Sequence, residues 1–165
     1  MLTFPLAAEN DAPRIAAIRQ RCWSAVYRGI YPDSMIDGFD HAWHAARDLQ
    51  RIRDPRHIVH LICRDGQPIG YMILLLSDPP LLMSLYLLPE HCRQGAGQAA
   101  FRLVRETFRS LGHSAFTCHC LPQNAPARAF YERMGGVVCG ADEGNPEPWQ
   151  DSVIYRFSLV PPATP

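Results

Sequence analysis

The chain reads as a single α/β (α+β) domain built around one mixed central sheet, in the order β-α-α-β-β-β-α-β-α-β-β. Three observations predict this. Short apolar runs bounded by proline or glycine interleave with longer amphipathic segments, so strands and helices alternate. Asp65-Gly66 separates two apolar runs and is a hairpin signal, which calls for antiparallel neighbours. The stretch 81–111, LLMSLYLLPEHCRQGAGQAAFRLVRETFRSL, reads strand, glycine-rich turn, helix, and another apolar run follows it, the pattern of a helical crossover. Hairpins beside crossovers make the sheet mixed. A length of 165 residues suits one domain with a real core; residues 1–160 are assigned to it and 161–165 to a loose tail.

Residues 2–7 give the first strand. Asp11 is placed to cap a helix running to about Tyr27, with Pro13 tolerated in its first turn and Ile15, Ile18, Cys22 and Val26 as its apolar stripe. An aromatic run from Trp23 to Pro32 follows. Asp33 opens a helical region broken near Gly38, and the next segment carries Ala42, Ala46, Leu49 and Arg53 on one stripe with Trp43 beside it. Residues 58–64 and 69–76 are strands joined by the Asp65-Gly66 turn. Residues 81–88 form the next strand, ended by Pro89. The helix 95–111 places Phe101, Val104, Phe108 and Leu111 at helical spacing and is closed by Gly112. Residues 115–121 are a strand on which Cys118 and Cys120 share a face as small core residues. Asn124 caps a helix to Met134 that Gly135-Gly136 stops. Residues 137–140 and 152–159 are the last strands, joined by a polar, proline-containing loop with Trp149.

Composition removes several classes of function. Sixteen basic and sixteen acidic side chains leave a formal net charge of +0, with neither a basic stripe for nucleic acid nor an acidic tail. The most apolar region, 69–88, is broken by Ser77-Asp78-Pro79-Pro80, so neither half reaches the roughly 20 residues of a membrane helix. The N-terminus lacks the charged start and apolar run of a signal peptide. Six cysteines without a Cys-x-x-Cys pair read as free thiols in a reducing cytoplasm, and no metal site is expected. The expected partner is a small-molecule or peptide substrate, with no nucleic acid and no membrane; a homodimer is the default assembly.

The glycine-rich turn carries chemistry of its own. The first turn of a helix has N–H groups without intrahelical partners and a positive dipole end. Glycine lets a bulky anion approach the backbone. The junction at residues 92–98 is therefore a candidate cradle for a phosphate or pyrophosphate, the plain alternative being a tight turn that needs small residues. The dinucleotide fingerprint does not fit: Ala100 is allowed at its third glycine, but no acidic residue ends a following strand about 20 residues on. The P-loop fails for want of Gly-Lys-Ser/Thr.

Leu85-Tyr86-Leu87-Leu88-Pro89-Glu90 followed by Cys92-Arg93-Gln94-Gly95-Ala96-Gly97 resembles the acyl-CoA signature of the GNAT superfamily of N-acetyltransferases. The departure is Cys92, where that family usually has Arg or Gln. A second stretch, Asn124-Ala125-Pro126-Ala127-Arg128-Ala129-Phe130-Tyr131-Glu132-Arg133-Met134-Gly135, is similar to the family pattern Asn-x-x-Ala-x-x-Phe-Tyr-x-x-x-Gly, with Gly136 where Phe is usual. The element order and the segment WSAVYRGIYPDSMID extend the resemblance over nearly the whole chain. It implies a GNAT fold whose splayed strands, 81–88 and 115–121, hold acetyl-CoA as co-substrate. Free backbone groups of Leu85, Tyr86 and Leu87 would pair with the pantetheine arm. Amides of Cys92, Arg93, Gln94, Gly95, Ala96, Gly97 and Gln98 would hold the pyrophosphate, and Asn124 the arm.

The same resemblance implies an N-acetyltransferase in which an amine attacks the thioester directly. A backbone N–H near Leu87 is placed to stabilise the oxyanion. Tyr131 is the candidate general acid toward the thiolate sulfur and a cofactor contact. The general base is open: the 81–88 strand has no acid, and His119, on the facing strand, is the candidate base or water relay. Tyr27, Tyr31 and Trp149 are candidates for the acceptor pocket. Two other readings stand beside this one, a non-catalytic acyl-CoA-binding sensor or assembly module and a nucleotide-binding regulator.

Overall fold

A computed structural model describes residues 1–160, so the expected tail at 161–165 lies outside the described residues. Seven strands form one mixed sheet in the order β1-β2-β3-β4-β5-β7-β6. They are β1 (Leu2–Thr3), β2 (His57–Arg64), β3 (Gln67–Leu75), β4 (Leu81–Leu87), β5 (Ala115–Cys120), β6 (Val137–Asp142) and β7 (Ser152–Ser158). The helices are α1 (Ala12–Val26), α2 (Asp33–Asp37), α3 (His41–Arg53), α4 (Ala96–Ser110) and α5 (Ala125–Arg133). The predicted order holds, with α2 as an extra short helix before α3. Only β4 and β5 run parallel; every other neighbouring pair is antiparallel.

The first strand is shorter than expected. Pro5 has no N–H to give the ladder, and beyond it the chain keeps to β2 through the isolated Leu6–His60 bridge, with Leu61 N–H to Pro5 O at 3.0 Å and Ala7 N–H to Val59 O at 2.9 Å. The β2–β3 turn follows the expectation: Asp65 and Gly66 both take positive φ, 50° and 79°, as a type I′ hairpin requires.

Side chains alternate across the sheet and build a core on each face. On one face Met72, Leu74 and Leu82 pack with Phe101, Val104 and Phe108 of α4. Phe116 and Phe157 stack at 4.8 Å beneath that helix. Leu111, expected on the same stripe, lies past the helix end and is exposed. On the other face Tyr71 and Ile73 pack with Ile15, Ile18 and Cys22 of α1. Val26 is exposed, as α1 ends there.

Two helix expectations are corrected. Asp11 stands at the N-cap position of α1, but its side chain makes no cap bond to the helix; the carboxylate accepts from Ala8 N–H and Arg14, closing the single 3-10 turn Glu9–Asp11. In α3 the stripe is rotated: Ala42, Ala46 and Arg53 are exposed, and the fully buried position is Asp48. Asp48 meets Arg19 of α1 through two hydrogen bonds, 2.6 and 2.8 Å long, and Arg19 Nε donates to Tyr71 Oη at 2.9 Å. A hydropathy stripe points the wrong way here because the α1–α3 contact is an ion pair.

Asn124 caps α5 as expected, accepting from Ala127 N–H at 3.2 Å. Gly135 ends that helix at φ +86°. The β6 strand runs two residues beyond the expected Gly140, paired with β7 to Asp142–Ser152. No helix among the described residues is long and apolar enough to cross a membrane.

Candidate active site

The cleft begins where a parallel pairing stops. β4 and β5 are joined at Leu81–Thr117 and Leu82–Cys118 and at no later pair. In the β3–β4 ladder Leu74 faces Leu82 and Ile73 faces Ser84, which leaves Met83 as an extra residue. Such a bulge bends its strand. β4 therefore turns away from β5 immediately after their last shared pair, and its edge from Met83 to Leu87 is left open. The gap widens into a cleft of about 1280 Å³.

The turn after β4 forms one end. Arg93 and Gly95 take positive φ, 58° and 83°, separated by single residues from ordinary backbone, a geometry that turns successive N–H groups to one side. No acceptor in the described chain takes the N–H groups of Arg93, Gln94, Gly95, Ala96, Gly97 or Gln98. These donors stand at the opening of α4, where the helix dipole is positive. A Cβ on Gly97 would lie 3.4 Å from Leu87 Cδ1 and 3.7 Å from the Phe130 ring, ordinary contact distances, so the turn lies against β4 and α5.

Most of the residues singled out in the sequence converge on this cleft. Leu85, Tyr86, Leu87, Cys92, Arg93, Gly95, Gly97, Gln98, Asn124, Tyr131, His119, Tyr27, Tyr31 and Trp149 border it. Gln94 and Ala96 do not border it. The Gln94 side chain turns outward to the Glu90 carbonyl at 2.8 Å and to Arg64, and Ala96 is packed into the core. Their backbone N–H groups remain the only parts of them available at the turn.

Tyr131 sits at the floor, 9% exposed, with its ring against Phe101 and Tyr155. Burial holds its phenol well above the ordinary range, and the neighbouring Cys118 and Cys120 thiols push the same way. α5, which carries Tyr131, is fastened to β7: Arg128 Nε donates to Tyr155 Oη at 3.2 Å, and Tyr155 Oη donates to Glu132 at 3.0 Å. Gly136 stands where a Cβ would meet Phe157 at 2.7 Å, so Phe157 takes the space that a larger side chain at 136 would need.

His119 projects from the opposite face of β5 to Cys118 and Cys120, exposed, with Nδ1 3.3 Å from Ser152 Oγ. Glu90 is turned away to the surface and pairs with Arg21 at 2.7 Å. Tyr27 and Tyr86 join hydroxyls at 3.0 Å, and Tyr27 and Tyr31 stack at 4.6 Å. Burial lifts the Tyr31 phenol to about 12 and Tyr27 beyond that.

Several residues that border the cleft or stand behind its wall carry no signal in the sequence. Cys22 was placed as a core residue, and it is buried; yet its thiol donates to the Leu87 carbonyl at 3.2 Å, and burial pushes it up to about 12. In the sequence Gly70 is only one position of a strand. A Cβ there would fall 2.3 Å from the Tyr86 carbonyl, so Gly70 sets how closely β3 supports the open end of β4. Asp142, Asp151 and Ser152 border the cleft at the β6–β7 end, and Asp151 accepts from Asn145 at 3.0 Å. Only the β6–β7 register brings Asp142 beside Ser152, and no local motif signals that.

Residues 13–136 match the acetyltransferase (GNAT) family. A protein of Mycobacterium tuberculosis described as an uncharacterized N-acetyltransferase is 28% identical over 134 residues, covering 79% of this chain and 86% of that one. PaiA N-acetyltransferase from Thermoplasma acidophilum, solved in complex with coenzyme A, superposes with a TM-score of 0.82 at 17% identity, over 96% of this chain and 99% of that one. The ribosomal-protein-S18-alanine N-acetyltransferase of Escherichia coli superposes with a TM-score of 0.74 at 18% identity, over 99% and 97% of the two chains. With a family match across most of its length and a sheet parted between β4 and β5, the chain belongs to the acetyltransferase (GNAT) family and is an acetyl-CoA-dependent acyltransferase.

Proposed function

We propose that the protein transfers an acetyl group from acetyl-CoA to a primary amine of a small molecule or peptide by direct attack. One observation carries the reading: the β4–β5 pairing ends at Leu82–Cys118, with a line of unpartnered N–H groups at one end of the gap and the Tyr131 phenol at its floor. These groups fit the co-substrate. Six free N–H donors at a helix opening suit a pyrophosphate. An open strand edge suits an amide-bearing arm, which adds to it as a strand does. Acetyl-CoA supplies the activated thioester.

The chain's own residues then do the following. The N–H groups of residues 93–98 hold the diphosphate and set the depth of the arm. The edge of β4 from Leu85 to Leu87 aligns the arm, and Asn124 borders it from the start of α5. Tyr131 donates a hydrogen bond to the sulfur as the carbon–sulfur bond breaks. Full proton transfer is uphill, since a free phenol at about 10 is already less acidic than a thiol at about 8.5, and burial raises Tyr131 further. Its contribution is a neutral donor that never loses its proton in the working pH range. His119 and Ser152, at the β5–β7 rim, provide the exit by which the amine proton reaches solvent through water.

The test is release of free thiol from acetyl-CoA in the presence of a panel of primary amines, with mass spectrometry on each amine. The expected result is a product heavier by one acetyl group. Tight CoA binding by calorimetry with no acetylated amine would leave a binding module and end this reading.

A further inference from the structure

The acceptor end of the cleft has a wall whose construction narrows the substrate. Trp23, Tyr27, Tyr31, Phe39 and His44 interlock between α1, α2 and α3. Trp23 is the hub, meeting Tyr31 edge-on at 5.4 Å, Phe39 at 5.6 Å and His44 at 5.4 Å. Phe39 stacks on His44 at 4.0 Å with ring planes 8° apart. Each ring of the cluster packs against at least one other. Of the five, Tyr27 and Tyr31 border the cleft, stacked on each other at 4.6 Å and 21°; Tyr27 is buried beneath, and half-buried Tyr31 presents the more open ring. Tyr27 is fixed a second time by the Tyr86 hydroxyl at 3.0 Å. Trp149 borders the same cleft from the connection between β6 and β7.

This is a rigid, uncharged aromatic surface. Burial keeps both phenols protonated throughout the physiological range. His119 on β5, and Asp142 and Asp151 at the β6–β7 end, border the cleft away from these two rings. A fixed platform loses little side-chain freedom when something settles on it. It offers apolar area and an aromatic quadrupole, and it offers no ion pair.

We infer that the acceptor is an aralkylamine, a primary amine carried on a flat aromatic ring that lies against the Tyr27–Tyr31 wall. The inference rests on the transferase reading above. The ring takes the wall, and the ammonium meets the carboxylates of Asp142 and Asp151 before it sheds its proton and turns to the thioester. A saturated ring of the same size would bury similar area and lose the stacking.

The discriminating pair is 2-phenylethylamine against 2-cyclohexylethylamine, assayed by thiol release on one preparation with acetyl-CoA saturating. The expected kcat/KM ratio favours the phenyl compound by about threefold to tenfold, the range that aromatic stacking adds beyond area. In Tyr31→Leu the ratio falls toward one. Because both amines are read on the same protein, partial misfolding of the variant cancels. Equal kcat/KM for the two amines, or a ratio unmoved by Tyr31→Leu, overturns the inference. Putrescine or a peptide amine acetylated in preference to both ring compounds also overturns it and leaves the transferase reading standing. If no amine of the panel is acetylated, the transferase reading itself has failed and this inference goes with it.

Discussion

One side of the cleft is lined by backbone: N–H groups at residues 93–98, the open edge of β4 and the first turn of α5. The other side is lined by side chains brought from the end of α1, from the turn before α2, and from the β6–β7 connection. The first wall depends on local conformation, a bulge at Met83 and left-handed residues at 93 and 95. The second depends on how helices pack, and that packing combines the aromatic cluster around Trp23 with the buried ion pair Arg19–Asp48. A wall made of backbone tolerates side-chain change and constrains where glycine must stand. A wall made of side chains is free to vary with the substrate.

The two walls differ most sharply in what destabilises them. Arg19→Met leaves the Asp48 carboxylate buried and poorly compensated, and a broken buried pair costs about 3–5 kcal/mol. Arg51, 3.0 Å from Asp48, keeps the loss to the lower end of that range. Denaturant unfolding measures it, and the double variant Arg19→Met, Asp48→Leu is expected to recover most of the loss. CoA affinity of the folded fraction should change less than threefold, because the backbone wall lies across the cleft. A CoA affinity that collapses with Arg19 would show that the walls are mechanically one.

Tyr131→Phe probes the floor between them. It removes a buried hydroxyl and leaves the ring stack with Phe101 and Tyr155 in place. Turnover should fall about 10²-fold, the usual consequence of losing a positioned donor, while the CoA dissociation constant from calorimetry stays within threefold. Gly95→Ala is a smaller cut into the backbone wall. A Cβ at Gly95 meets nothing within 4 Å, so space is not the obstacle. The cost is the positive φ of 83°, about 1–2 kcal/mol for a residue with a Cβ. The exposed turn relaxes to escape that strain and the N–H groups fall out of line, which should weaken CoA by about tenfold. No change would mean that the turn holds its shape without help from glycine.

The same contrast decides what the sequence could reveal. The strand, turn and helix from Leu81 to Ser110 are consecutive, so their geometry follows from local signals: Pro89, the glycines, and the spacing of Phe101, Val104 and Phe108. Asn124 and Tyr131 are legible for the same reason, as a cap and a residue two turns on. Asp48 was not legible, because a carboxylate on an inward position only makes sense once Arg19 is beside it. Gly70 escaped notice since its partner, the Tyr86 carbonyl, lies on a neighbouring strand whose register no local pattern fixes. Asp142 and Ser152 meet only through the β6–β7 pairing. Tyr27 and Tyr31 could be named from an aromatic run, while their mutual stacking and their tie to Tyr86 could not.

The smallest expected effect lies behind the Tyr27–Tyr31 wall and concerns pH. His44 is sandwiched on Phe39 between the edges of Trp23 and Trp43. Burial lowers its pKa to about 4, the Arg19 and Arg47 cations push the same way, and Asp48 opposes them. The unfolded imidazole titrates near 6.5, so below that value the unfolded chain binds a proton that the folded chain refuses. His44 therefore favours folding fully above about pH 6.5, and its contribution is lost as pH falls toward 4. The group is partly solvated, so the loss is modest. His44→Phe removes the titration and keeps a ring against Phe39. Wild type should lose melting temperature between pH 6.5 and 4 faster than this variant, and the two should run parallel from pH 7 to 8. Parallel curves over the whole range would mean that the cluster behind Tyr27 and Tyr31 opens easily to a proton, and the acceptor wall would then be softer than the backbone wall it faces.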